Sequence, residues 1–328
     1  MFLLKTPEKD KTHEFRISVV IPTFNRQDIL ERTLKALEEQ TLPKKYFEVV
    51  VVNDGSSDGT HDFLERYKNR GALNFTYIQK ENEGQGIARN TALSHTDGIV
   101  ILFLGDDHIP EPTLLEEHWK VHERYFTENF ICLGHTTWHH ELVINPCMQF
   151  LEYIGFQFKY GAMQKFPLID KEYHLRIATY KFFYTGNISV KRSLFEKYQF
   201  DTRFKKYGWE DIELGLRMQY DEGAIILYSE KAKALHYHSM ELEPTLKRME
   251  QVGKSAKLAK KINPRLRVTP VWWKHIIFWF ISRKPLLSIL KNFSDKALEP
   301  SVNQLPFYTK CYYYALMKRH FLIGLSKK

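Results

Sequence analysis

A chain of 328 residues, 43% apolar and 27% charged, can build one large α/β domain or two ordinary ones, and its composition excludes whole-chain disorder, a collagen-like repeat and a coiled coil. Its three cysteines, Cys132, Cys147 and Cys311, are too few and too far apart for a disulfide framework or a paired-cysteine zinc site, which fits a reducing compartment. The formal charge of +9 is unevenly placed: residues 251–328 carry 16 Lys and Arg against two acids, a net of +14, which leaves 32 against 37 in residues 1–250 and points the basic tail at an anionic surface.

The apolar opening Met1–Leu4 runs straight into Lys5, Glu8, Lys9, Asp10 and Lys11, which leaves no leader-length apolar core, so a cytoplasmic location is expected. Alternation then begins. Ile17–Pro22, Phe47–Val52, Asn74–Gln79 and Gly98–Leu104 read as strands, the first buried and the last wholly apolar, and Asp28–Gln40, Gly59–Asn69 and Glu83–Ser94 as the helices between them. Such repeats predict right-handed crossovers and a mostly parallel sheet covered on both faces, a Rossmann-like α/β fold. After Thr113 the pattern is irregular, with strands expected at Thr185–Val190, Ala224–Leu227 and Ala232–His238 and a helix at Trp209–Tyr220. From Glu241 the chain reads as helical, basic and aromatic. The division that follows is 1–240, with halves 17–110 and 111–240, then 241–328.

Ligands of such sheets bind outside the carboxyl ends of the strands. Here those ends carry Thr23-Phe24-Asn25-Arg26, Asn53-Asp54-Gly55-Ser56-Ser57-Asp58 and Gly105-Asp106-Asp107-His108. The adjacent acids Asp106 and Asp107 repel unless something neutralises them, and hard oxygen ligands suit Mg²⁺ or Mn²⁺; a turn or helix cap is the plain alternative. Asn53–Thr60 could likewise be a loop with a cap. Glu210 and Asp211 fall in the first turn of a helix, where the macrodipole favours acids anyway, yet an ionised carboxylate there also suits a general base. His236 and His238, at period two near a strand end, could supply a metal ligand. His135, His139 and His140 cluster without completing a ligand set. Arg89, in the glycine-rich entry Glu83–Asn90, could point at a nucleotide or at solvent.

Taken together, Ser18–Arg26, Val51–Asp58, Asn82–Asn90, Phe103–Asp107 and Thr185–Val190 with Gly208–Leu214 resemble, in order, the segments of the inverting family 2 glycosyltransferases of GT-A fold. The resemblance implies that Pro22, Thr23, Asn25, Arg26 and Asp54 hold the nucleoside, with Arg89 near it. It sets Asp106 and Asp107 where the family binds a metal-diphosphate. It makes Asp211 the catalytic base, Glu210 an acceptor-positioning acid, and His236 a metal ligand with His238 as its rival. The implied substrates are a nucleotide-sugar, UDP-linked, and a glycan or lipid-linked acceptor. Two departures are visible: Asn53 stands where an aspartate is common, and Gly105 where a first aspartate is frequent.

The tail, Val271–Pro285 above all, sets Trp and Phe beside Lys and Arg, the mixture of a helix lying in a bilayer interface, and this predicts peripheral attachment to the inner face of the cell membrane. Packing of these aromatics on the catalytic body is the competing expectation. A nucleic-acid binder is disfavoured, because the positive charge is confined to the tail while the body offers carboxylates.

Overall fold

The computed structural model describes residues 14–126, 129–155, 160–163, 165–297 and 305–327; Met1–Leu4, read above for a leader, lies outside them. Strands β1 (Ile17–Thr23), β2 (Phe47–Asp54), β3 (Phe75–Lys80) and β4 (Val100–Leu104) run parallel in the spatial order 3-2-1-4. β1, β2 and β4 are buried at every residue, as β-branched runs between two helical layers must be. The crossovers are α1 (Gln27–Glu38), α2 (Thr60–Arg70) and α3 (Gln85–Leu93). α1 buries Leu30, Thr33, Leu34 and Leu37, one stripe at helical spacing. α2 stops where Gly71 takes a φ of 65°.

The second half extends the same sheet. β5 (His108–Pro110) and α4 (Leu114–Arg124) follow, then β6 (Phe130–Trp138), α5 (Pro146–Ile154), α6 (Tyr160–Met163), β7 (Leu168–Asp170), β8 (Leu175–Ala178), β9 (Asn187–Lys191), α7 (Arg192–Lys197), α8 (Glu210–Glu222) and β10 (Ile225–His236). β9 inserts antiparallel between β4 and β6, and β6 pairs parallel with β10, so the order runs on as 4-9-6-10-8-7. The two strands expected at 224–227 and 232–238 are one strand, β10, whose register against β6 shifts between Ser229 and Lys233. That bulge absorbs the polar residues that read as a break. β10 ends at His236, which pairs antiparallel with His108 of β5.

Among the described residues, four helices follow the sheet: α9 (Leu242–Ile262), α10 (Trp272–Ile281), α11 (Lys284–Ala297) and α12 (Phe307–Ser326). α9 and α12 share a core with Trp138, Phe150, Phe204 and Leu216 of the body. Their backbones touch at two glycines, since a Cβ on Gly324 would overlap the Glu250 carbonyl and one on Gly253 the Phe321 carbonyl. α10 differs, for it buries no residue. No described helix is long and apolar enough to cross a membrane.

Candidate active site

The acids after β4 are built into a cage. Thr23, the last residue of β1, donates its hydroxyl to Asp106 Oδ2 at 2.9 Å, and Thr33 of α1 donates to the Asp106 carbonyl at 2.8 Å. Burial pushes the Asp106 carboxyl up to about 7, and the neighbouring Asp107 adds to the rise. Asp107 goes the other way. Burial opposes its charge, but His236, His108 and their hydrogen bonds more than offset this and hold it well below the usual carboxylate range. Arg26 Nη1 lies 2.5 Å from Asp107 Oδ2 and 3.6 Å from Asp106 Oδ1.

Next to Asp107, the His108 ring fits between two glycines. A Cβ on Gly105 or on Gly186 would overlap the imidazole, which explains why glycine precedes the acid pair. His108 Nδ1 lies 2.7 Å from Asp107 Oδ1, and His236 Nε2 lies 3.5 Å from Asp107 Oδ2. Asp107, His108 and His236 each offer one ligand atom, all within 4.8 Å of one another. A carboxylate and two imidazoles are a donor set that Mn²⁺ accepts, so the residues fit the metal that the sequence implied. His238 falls outside this group. It lies past the end of β10 with its ring 6.1 Å from that of His236.

Asp54, at the end of β2, is held by Lys80 Nζ at 2.9 Å and by the backbone N–H groups of Glu83 and Gly84 at 3.0 and 2.8 Å. Its carboxylate thereby fixes the turn that opens α3. Asn25, at a φ of 53°, ties the β1 loop to the β2 loop: its N–H donates to Ser56 Oγ at 2.8 Å and its Oδ1 accepts from Ser57 N–H at 2.7 Å. Asn53, where an acid is common, instead bridges Gln79 and the Ser56 N–H. Pro22 is buried within β1.

The opposite wall begins at α8. Trp209 precedes it at a φ of 75°, a strained conformation for a bulky residue, and its indole N–H donates to the Val252 carbonyl of α9 at 2.9 Å, which holds the turn in place. Glu210 is buried and accepts from the Gln85 amide and from the Gly208 N–H. The Asp211 carboxyl is pushed up to about 7, first by burial and then by Glu210. Arg89 lies between the two walls. It is 3% exposed, and two of its nitrogens, Nε and Nη1, have no hydrogen-bond partner among the described residues. Burial lowers its pKa while Glu210, Asp211 and Asp106 raise it, so one guanidinium feels acids of both walls. Arg248 of α9 reaches in as well, with its guanidinium 4.0 Å from the Tyr207 ring centre and bonded to the Tyr207 hydroxyl.

The structure thus gathers Arg26, Thr23, Asp106, Asp107 and His236 on one side, with Arg89, Glu210 and Asp211 on the other. It adds His108, Tyr207 and Arg248, which sequence reasoning did not assign. Only His108 carried a signal, standing beside Asp107. His135 plays no part, being bonded to the Tyr228 hydroxyl at 2.7 Å. His139 and His140 gain a third donor in Glu141, whose carboxylate is already paired with Arg32 at 3.0 Å.

Comparison with known proteins bears on the family and the fold. The uncharacterized glycosyltransferase YfnE of Bacillus subtilis is 29% identical over 242 residues, 62% of this chain and 60% of YfnE. The poly(ribitol-phosphate) beta-N-acetylglucosaminyltransferase TarS of Staphylococcus aureus is 38% identical over 111 residues, 34% of this chain and 19% of TarS. The chain therefore spans less than two thirds of either relative. Among solved structures, the mannosyltransferase PcManGT of Pyrobaculum calidifontis, in complex with GDP-mannose and Mn²⁺, aligns with 98% of this chain and 89% of its own at 18% identity and a TM-score of 0.60. TarS residues 1–349 with UDP aligns with 87% and 76% at 20% identity and a TM-score of 0.52. The likeness in fold is to GT-A enzymes. Residues 18–198 match the glycosyl transferase family 2 domain, more than half of the sequence, and the chain belongs to that family.

Proposed function

We propose that this protein is an inverting glycosyltransferase that moves a sugar from a UDP-sugar to a hydroxyl of a glycan or lipid-linked acceptor, with Mn²⁺ or Mg²⁺ bound. The observation that carries this reading is Arg89, a buried cation with unmet donors lying between the donor-side acid Asp106 and the acceptor-side acids Glu210 and Asp211. UDP as the carrier and a polyol or glycan acceptor are favoured by TarS, solved with UDP and named for poly(ribitol-phosphate).

In this mechanism Asp211 accepts the proton of the acceptor hydroxyl as its oxygen attacks the anomeric carbon, and one displacement inverts the configuration. Glu210, fixed by Gln85 and Gly208, orients the acceptor and keeps Asp211 basic. Arg89 and Arg26 face the charge that grows on the departing diphosphate. Asp107, His108 and His236 would hold the metal, which supplies Lewis-acid charge for that diphosphate.

Calorimetric titration with UDP, with and without Mn²⁺, tests the donor side, and mass analysis of products from a panel of UDP-sugars tests transfer. Metal-dependent UDP binding that Asp107→Ala abolishes is expected. UDP affinity indifferent to Mn²⁺ in the wild type, or unchanged in Asp107→Ala, overturns the metal assignment.

A further inference from the structure

Away from the active site, α10, the segment after it and α12 enclose a cavity of about 610 Å³. Its polar wall is His275, Arg283, Lys284 and Arg319, its apolar wall includes Trp279 and Leu322, and among the described residues no carboxylate lines it. Arg283 stacks on Trp279 with its guanidinium 3.6 Å from the ring centre, and Arg319 donates to the Ser282 carbonyl at 3.2 Å. Neither arginine nor Lys284 forms an ion pair among the described residues. Three cations line this one cavity with no counter-ion among the described residues, so its potential is positive and favours an entering anion.

The exposed face of α10, which reaches the cavity through Trp279, says what brings the anion. Trp272, Trp273, Ile276, Ile277, Trp279 and Phe280 are all about half exposed or more, at 76, 47, 55, 47, 50 and 65%. So large an apolar patch on one short helix marks an interaction surface. α10 has 10 residues, about 15 Å of helix, which is half the hydrocarbon thickness of a bilayer. It can lie in a membrane surface but not cross it. Tryptophans beside lysine and arginine are what such an interface selects.

We propose that α10 and this cavity form a membrane-docking site, with the aromatic face inserted among the lipids and the phosphate of an anionic phospholipid headgroup held by Arg283, Lys284 and Arg319. The site is independent of the sugar-transfer chemistry, since none of its residues touches the acid pairs. A nucleic acid would use the cations but leave the aliphatic face uncovered. A second copy of the chain would cover that face but bring its own cations to the cavity.

The test is flotation of the full chain with phosphatidylcholine vesicles, with and without phosphatidylglycerol. Binding is expected only with phosphatidylglycerol. Charge removal in the triple variant Arg283→Gln, Lys284→Gln, Arg319→Gln should weaken it about 100-fold, each basic residue at an anionic surface being worth about fivefold. Trp272→Ser with Phe280→Ser should weaken it at unchanged charge, and both variants should keep the wild-type circular dichroism and UDP affinity. Release by millimolar inorganic phosphate would show that free phosphate occupies the cavity and would overturn the lipid assignment. Equal binding to neutral vesicles, absence of binding, or sedimentation as a dimer that Trp272→Ser dissociates would overturn it as well.

Discussion

If Asp211 is the base, its protonation should set the rate. Burial and the neighbouring Glu210 carry the carboxyl to about 7, while the Ile212 N–H and Arg89 act to lower it. Only the ionised form can take a proton, so kcat/KM should rise with pH through about 7 and stand near a tenth of its plateau at about pH 6. Replacing Arg89 with Met removes the buried cation and should move this midpoint upward. Asp211→Asn should lower kcat by about 10²- to 10⁴-fold, the usual contribution of a general base, with UDP affinity unchanged. Initial rates of UDP release across the pH range, paired with calorimetric UDP titrations, read both quantities. An Asn variant that keeps more than about a tenth of the wild-type rate refutes the base assignment and the argument from burial with it.

The same carboxyl makes a stability prediction of opposite sign. Its folded value is raised above the ordinary 3.8, so the stability present below that value is lost as pH climbs through about 7. Asp211→Asn should therefore be more stable than wild type in chemical denaturation at about pH 8, by at most about 4 kcal/mol, with the gap closing toward pH 4; equal stability at both ends would contradict this. His108→Ala should weaken Mn²⁺ binding in the presence of UDP by about tenfold or more, read by calorimetry, and unchanged affinity would remove His108 from the ligand set. Gly324→Ala forces a methyl group into the Glu250 carbonyl, and a loss of about 1–3 kcal/mol in chemical denaturation is expected. Asp107→Ala should abolish the Mn²⁺-dependent part of UDP binding.

The first four strands were legible because each is a short apolar run between helical patterns, and their ends pointed to Arg26, Asp106 and Asp107 without any coordinates. Asp211 and Glu210 were legible only through a local motif. What sequence could not carry was adjacency made by distant backbone. His108 was passed over because its pocket exists only where Gly186 comes to face Gly105. The resemblance already preferred His236 to His238, but only the structure shows that β10 stops at His236, paired there with His108 of β5. Arg248 lay in a stretch read as generic basic helix, and nothing in its local pattern shows that α9 returns to Tyr207. The tail was read as meeting either the body or a membrane. In the structure α12 packs on the body, while α10 buries no residue.

The pairing of β5 with the end of β10 bears on how the molecule is made. His108 and His236 meet only after more than a hundred intervening residues have been laid down, and closing so long a loop costs entropy that no local contact repays early. A chain still emerging from the ribosome can assemble β1 to β4 and seat Asp107 against Arg26, but it has one imidazole where the finished crevice has two. On the proposed metal role, synthesis itself thus delays the completion of the ligand set until the outer wall is nearly finished.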